Sequence, residues 1–210
     1  MISIWIGHQT LPSTEKYQRA LDRYLNRKKS DWDIGIEYER YIGYIYETHG
    51  YKVTYNGALK GLDDMGCDLF LEKENVTYVV QCKRWSSEKV IHEKHIFQLY
   101  GATEVKRIQD PGTIYRAVFY TTTKVSDLAR ECAKRLGILV LENKPYQENY
   151  PKIKCNINQQ TGEKIYHLPM DQQYDRVQIA NKPGAMYVHT VKEAEQLGFR
   201  RAHRWRGTDA

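Results

Sequence analysis

Between Leu69 and Lys83 the chain alternates apolar and polar positions in two β-branched-rich runs. They flank a polar break at Glu74-Asn75. The pattern predicts a hairpin with strands Leu69–Lys73 and Val76–Lys83. A two-residue loop pairs 73 with 76 and 72 with 77. Carrying that register inward sets Asp68 opposite Gln81, with Cβ atoms about 4.5–5.5 Å apart. Strand side chains alternate, so Gln81 and Lys83 share a face while Cys82 points away.

The flanking segments read as helices and buried strands. Ile34, Tyr38, Tyr41, Ile42 and Ile45 recur at helical spacing and Gly50 follows as a stop, which predicts a helix from about Asp33 to His49. Glu39 sits beside its apolar stripe. Upstream, Tyr17, Ala20, Leu21, Tyr24 and Leu25 mark a second helix within Leu11 to Lys29, capped by Ser13 or Thr14 and carrying a solvated basic face. Downstream come a helix over Lys89 to Lys106 and a buried strand over Tyr115 to Thr121. A Ser126-capped helix then runs to Leu136 with Gly137 as its stop, and a strand covers Ile138 to Leu141. Strand, helix, strand at this length implies a parallel crossover beside the hairpin, hence an α/β fold with a mixed sheet between helices. The segment Asn143 to Tyr150 breaks regular structure and reads as a linker. The expected organisation is a helical extension over 1–30, a main domain over 31–148 and a small domain over 149–210.

A carboxylate, an amide and an ammonium at the end of one hairpin suit metal-assisted phosphodiester hydrolysis. Magnesium takes oxygen ligands, usually one or two carboxylates plus water and phosphate. Asp68 supplies a carboxylate, Gln81 an amide oxygen, and the main-chain carbonyl of Cys82 a third oxygen. Lys83 is a movable point charge beside them. Glu39, among tyrosines, is a candidate for a further ligand or for a residue holding the others in place. The bare spacing also fits an exposed hairpin with an Asp–Lys pair; the surrounding residues favour the metal site.

Those surroundings carry a resemblance. Residues 34 to 142 resemble the Mrr-like branch of the restriction-endonuclease-like, PD-(D/E)xK nuclease superfamily. The matching pieces are Gly35-Ile-Glu-Tyr-Glu39-Arg, Gly50-Tyr51-Lys-Val, Asp64-Met-Gly66-Cys-Asp68-Leu and Val80-Gln81-Cys-Lys83-Arg84-Trp85. Gln98-Leu-Tyr-Gly101-Ala and the run from Thr121 to Ala129 continue them. Gln81 stands where the superfamily usually has Asp or Glu, which is this branch's variant. The resemblance implies a DNA endonuclease with catalytic Glu39, Asp68, Gln81 and Lys83. It also implies magnesium, with manganese as a substitute, and a role in restriction or defence against phage and plasmids. Arg84, Gln98 and Thr122 are carried as DNA contacts. Two other readings are a DNA-binding module that keeps the fold without cutting, and a nuclease for repair or branched DNA. One active site per chain favours a homodimer for double-strand cleavage.

The 210 residues hold 32 Lys and Arg against 26 Asp and Glu, a net charge of +6 that suits a polyanion. Residues 152 to 210 account for 10 of those bases and 6 of those acids. This part resembles a small appended domain called the sunset domain through Ile153-Lys-Cys-Asn156-Ile, Tyr166-His167-Leu-Pro169, Tyr174-Asp175 and Gly198-Phe-Arg200, with Cys155 where that domain usually has glycine. Arg200, Arg201 and Arg204, interleaved with Trp205, are candidate DNA contacts, and the domain is a candidate surface for a protein partner. No apolar run approaches the roughly 18 residues of a membrane span, and the start lacks a secretion signal. Four cysteines without metal-like spacing read as reduced thiols of a cytoplasmic protein.

Overall fold

A computed structural model of the protein describes residues 12–60 and 66–202. Its elements are α1 (Ser13–Asn26), α2 (Asp31–Thr48), β1 (Lys52–Tyr55), α3 (Asn56–Lys60), β2 (Leu69–Lys73) and β3 (Val76–Lys83). Next come β4 (Val90–Ile91), α4 (Glu93–Gln109), β5 (Ile114–Thr121), β6 (Lys124–Val125), α5 (Asp127–Arg135) and β7 (Leu139–Leu141). The chain continues through β8 (Ile153–Ile157), β9 (Lys164–His167), β10 (Met186–Val188), α6 (Val191–Gln196) and β11 (Arg200–Arg201). Among the described residues no helix is long and apolar enough to cross a membrane.

The main sheet has the order β1-β2-β3-β5-β7. The first three strands are antiparallel, and β5 and β7 add in parallel through the α4 and α5 crossovers. The hairpin register is the expected one, with Lys73 opposite Val76 and Leu69 opposite Val80. Glu74 makes the turn at φ 56°. Alternation then sorts the core. Val79, Ala117 and Phe119 face α4 and α5, where Ile96, Leu99, Ala129 and Ala133 meet them. Val80, Cys82, Val118 and Tyr120 face α2, under Tyr38 and Ile42. The result is a mixed sheet with helices on both faces.

Several boundaries move for local reasons. Helix α2 starts at Asp31 because Ser30 and Asp33 form a capping box, the Ser30 hydroxyl accepting from Asp33 N–H and the Asp33 carboxylate from Ser30 N–H. Arg27 adds an ion pair at 2.5 Å, and this hydrogen bond, with those from Ser30, lowers the Asp33 carboxyl to about 2. Helix α4 starts at Glu93 rather than Lys89, because Val90-Ile91 pairs with Lys124-Val125 as a small parallel ladder. Neither Ser13 nor Thr14 caps α1. Pro12 holds the cap position without a side-chain bond, and the Thr14 hydroxyl donates to Glu195 instead.

That bond reflects where α1 packs. Its Leu21 lies in a cluster with Ile153, Cys155, Tyr166, Val188, Val191 and Phe199, the core of the C-terminal sheet β10-β8-β9-β11. The first helix therefore completes the C-terminal domain. The Asn143–Tyr150 segment is no free linker. Tyr146 and Tyr150 pack on Tyr41, with ring centroids 5.6 and 5.3 Å away, and Tyr150 also on Tyr44 at 5.2 Å. Beyond it, the two domains share a buried seam. Lys154 and Glu47, both with 0% side-chain exposure, approach to 3.5 Å. The Tyr55 and Tyr187 hydroxyls donate to the same Glu47 oxygen. Lys154 also donates to Val177 O at 3.0 Å and lies over the Tyr55 ring. Arg40 forms a bidentate pair with Asp175 at 2.8 and 2.7 Å, and Gln178 bonds both backbone groups of Val53.

Candidate active site

The hairpin ends against α2, and the site forms there. Asp68, Lys83, Cys82 and Glu39 line one cleft of about 580 Å³, together with Asp31, Trp32, Arg84, Trp85 and Lys89. Asp68 is fixed through both its backbone and its carboxylate. Its N–H donates to Val80 O and its carbonyl accepts from Gly57 N–H. Its Oδ2 accepts from Cys82 N–H at 2.6 Å, a charge-assisted bond that aims the carboxylate across the strand end. Asn56 donates to Cys67 O, steadying the approach to Asp68.

Glu39 reaches the cleft from the other side of the sheet, on α2, and is 8% exposed against 5% for Asp68. Gly57 makes room for it: a Cβ there would stand 2.6 Å from the Glu39 carboxylate. The charges of Asp68 and Glu39 converge on Cys82, whose thiol is pushed far up first by burial and then by those two carboxylates. Lys83 is half-buried, and no carboxylate among the described residues pairs with its ammonium.

Gln81 sits differently. Its side chain lies on the face it shares with Lys83, against Gln98 of α4, and it is 0% exposed and does not line the cleft. Its Nε2 is 3.4 Å from Gln98 Oε1, a weak contact, and its Oε1 has no hydrogen-bond partner among the described residues. Gly66, at φ +78°, passes so close that a Cβ would lie 2.7 Å from Gln98 and 2.8 Å from Gln81. A buried carbonyl oxygen without a donor costs about 1–3 kcal/mol. That oxygen therefore calls for a partner, which a cation would provide. Among the described residues no three His, Cys, Asp or Glu side chains cluster into a metal cage. The donors here are two carboxylates and an amide, all hard oxygens, and they fit magnesium.

The remaining candidates divide. Thr122 is not aimed at the cleft: its hydroxyl accepts from Trp85 N–H at 3.0 Å and donates to Trp85 O at 2.7 Å, so it fixes the chain after Lys83. Arg84 lines the cleft but lies 3.6 Å from Glu37, with its guanidinium 4.0 Å over the Tyr146 ring. Gln98 is exposed on α4. Arg200 pairs with Glu163 and Arg201 with Asp171, so the C-terminal domain presents less free charge than its composition implies. Arg204 lies outside the described residues, as do Asp64 and Met65 of the motif and Leu11 of the first helix. His95 packs edge-on against Trp85, and burial, then Lys83, lowers its pKa. None of the four cysteines forms a disulfide. Gly57, Trp32 and Lys89 were missed in the sequence; Trp32 had a signal, since it follows the Ser30 cap on the helix bearing Glu39.

Asp68 and Lys83 at the end of the hairpin thus meet Glu39 of α2 in one cleft beside the mixed sheet. Residues 34–145 match the restriction endonuclease family (Mrr_cat), and the chain belongs to that family. The match stops before the C-terminal sheet. No curated protein matches the chain. Two solved structures are similar to part of it. One is a protein of unknown function, AF1548, at 18% identity and TM-score 0.38, over 51% of this chain and 58% of that one. The other is the MspJI restriction endonuclease in complex with a 27-mer oligonucleotide, at 13% identity and TM-score 0.36, over 61% of this chain and 29% of that one. The chain thus spans less than two thirds of either.

Proposed function

We propose that the protein is a magnesium-dependent DNA endonuclease of the defence type, with manganese as a substitute, working as a homodimer when both strands are cut. The observation that carries this is the convergence of Asp68, Glu39 and Lys83 on one cleft in a chain of the restriction endonuclease family. Asp68 is the residue to hold the cation, with the Cys82 carbonyl as a second oxygen and Glu39 as a further ligand or support; Gln81, which does not line the cleft in this structure, would have to turn toward it to add its amide oxygen. A cation bound there polarises the scissile phosphate and lowers the pKa of a bound water. The protein's own groups do the rest. Cys82 N–H keeps Asp68 oriented. Lys83, free of any ion pair among the described residues, holds the attacking water and offsets charge that develops on the phosphate. Attack in this class leaves 5′-phosphate and 3′-hydroxyl ends.

The test is plasmid cleavage by the full chain with and without magnesium, beside Asp68→Ala. We expect cutting only with the metal, and its loss in Asp68→Ala with DNA binding retained. Cutting by Asp68→Ala at the normal rate contradicts the site.

A further inference from the structure

Beyond its carboxylates and lysine, the cleft holds two tryptophans that the hydrolysis does not use. Trp32 and Trp85 both line it, and Trp32 is 59% exposed. Tryptophan is a ring of large apolar area that folded proteins mostly cover. Here it stands in the wall of a polar cleft.

Both rings sit on fixed backbone. Trp32 is the second residue of α2, inside the capping box of Ser30 and Asp33, which Arg27 braces further. Trp85 is held at its N–H and its carbonyl by one threonine hydroxyl. The Trp85 and His95 rings meet edge to face, at 82° between planes, and Lys89 stands 5.6 Å from the Trp85 ring centroid. A ring on fixed backbone has only two side-chain torsions to lose when something stacks on it, so its contact area converts well into binding. Lys83 and Lys89 line the same wall and supply charge for phosphates. Rings interleaved with lysines are the chemistry of single-stranded nucleic acid binding, in which bases stack on aromatic faces and the backbone follows positive charge. Bases in an intact duplex already stack on each other and offer a protein ring only their edges.

We propose that Trp32 and Trp85 form a stacking platform beside the catalytic cleft for a base that has left the duplex stack. DNA with unpaired nucleotides next to the cut is then the preferred substrate class. This rests on the nuclease reading above and narrows it. Trp32 is the specificity-determining residue, because its exposed ring is the part free to receive a base.

The experiment is equilibrium binding of the full chain in EDTA, so that neither cutting nor metal enters the result. The probes are a short labelled duplex and the same duplex interrupted by a few mismatched pairs. Each stacked base is worth enough to change affinity about tenfold. The expected result is tighter binding of the interrupted probe by about that factor, lost in Trp32→Ala and kept in Trp32→Phe, with duplex binding changed less than about twofold. Equal binding of the two probes by the unaltered protein overturns the proposal. So does a preference that survives Trp32→Ala, or an equal weakening toward both probes, which places the ring on the sugar–phosphate backbone. Failure to cut plasmid would sink the nuclease reading and leave this binding result standing by itself.

Discussion

Two of the buried glutamates of helix α2, Glu39 and Glu47, lie about two turns apart and have opposite surroundings. Glu47, toward the C-terminal end, is sealed. Two tyrosine hydroxyls and Lys154 surround it, and Lys154 itself lies over tyrosine rings with a backbone acceptor beyond. Glu39, toward the N-terminal end, lines an open cleft with Asp68 and Lys83. The two lysines differ in the same way. Burial pulls the Lys154 pKa down while Glu47 pulls it back, and every direction around the ammonium is occupied. Lys83 is half-buried without an ion pair among the described residues. Burial of a carboxylate near a lysine is thus no sign of catalysis; what distinguishes the cleft is open space beside its charges.

The contrast can be broken first at the seam. A chain ending at Tyr150 loses Lys154, Asp175 and Tyr187 together, leaving Glu47 and Arg40 as buried charges without their ionic partners. We expect no cooperative thermal transition from it; a normal melt would show that the domains are independent. The single change Lys154→Ala strands Glu47 alone and should cost about 3–5 kcal/mol in denaturant unfolding. Replacing both partners by Glu47→Gln with Lys154→Met should recover part of that loss. A cost under about 1 kcal/mol for Lys154→Ala would remove the seam from the account.

A milder test uses pH. Burial holds the Tyr55, Tyr174 and Tyr187 phenols well above the ordinary tyrosine value of 10.0. Their folded values are raised, so the folded state keeps protons that the unfolded chain releases. The stability they confer is complete below about pH 10 and falls as pH rises past it. Melting temperatures should therefore hold steady to that point and then drop, and Tyr187→Phe should soften the drop. A melting temperature that does not change through pH 11, one unit above that value, contradicts this.

What the sequence disclosed follows from distance along the chain. The hairpin that carries Asp68, Gln81 and Lys83 is local, so the period-two pattern and the polar turn suffice to give its register, though not that Gln81 stays out of the cleft lining. The Ser30–Asp33 capping box is equally local, yet the apolar spacing alone places the helix start at Asp33 and misses it. Glu39 needed the family's residues, because its place depends on α2 crossing the sheet and on Gly57 leaving room. The seam was invisible. Glu47 and Lys154 are far apart in sequence, and a Lys in a polar-looking strand such as Ile153–Ile157 gives no hint of full burial. The same gap hid α1, whose Leu21 packs with the C-terminal sheet. It also hid the true start of α4, which depends on β4 pairing with β6.

The most direct test of the difference between the two lysines is the cleavage rate of Lys83→Ala per folded molecule, with its melting temperature taken on the same sample. Loss of a group acting on the attacking water should slow cutting by about 10²- to 10⁴-fold. The melting temperature should stay near that of the unaltered protein, and Lys83→Arg should not restore the rate, because a planar guanidinium cannot replace a compact ammonium there. A normal rate, or a melting loss as large as that of Lys154→Ala, would contradict the account and make Lys83 a structural ion like its counterpart.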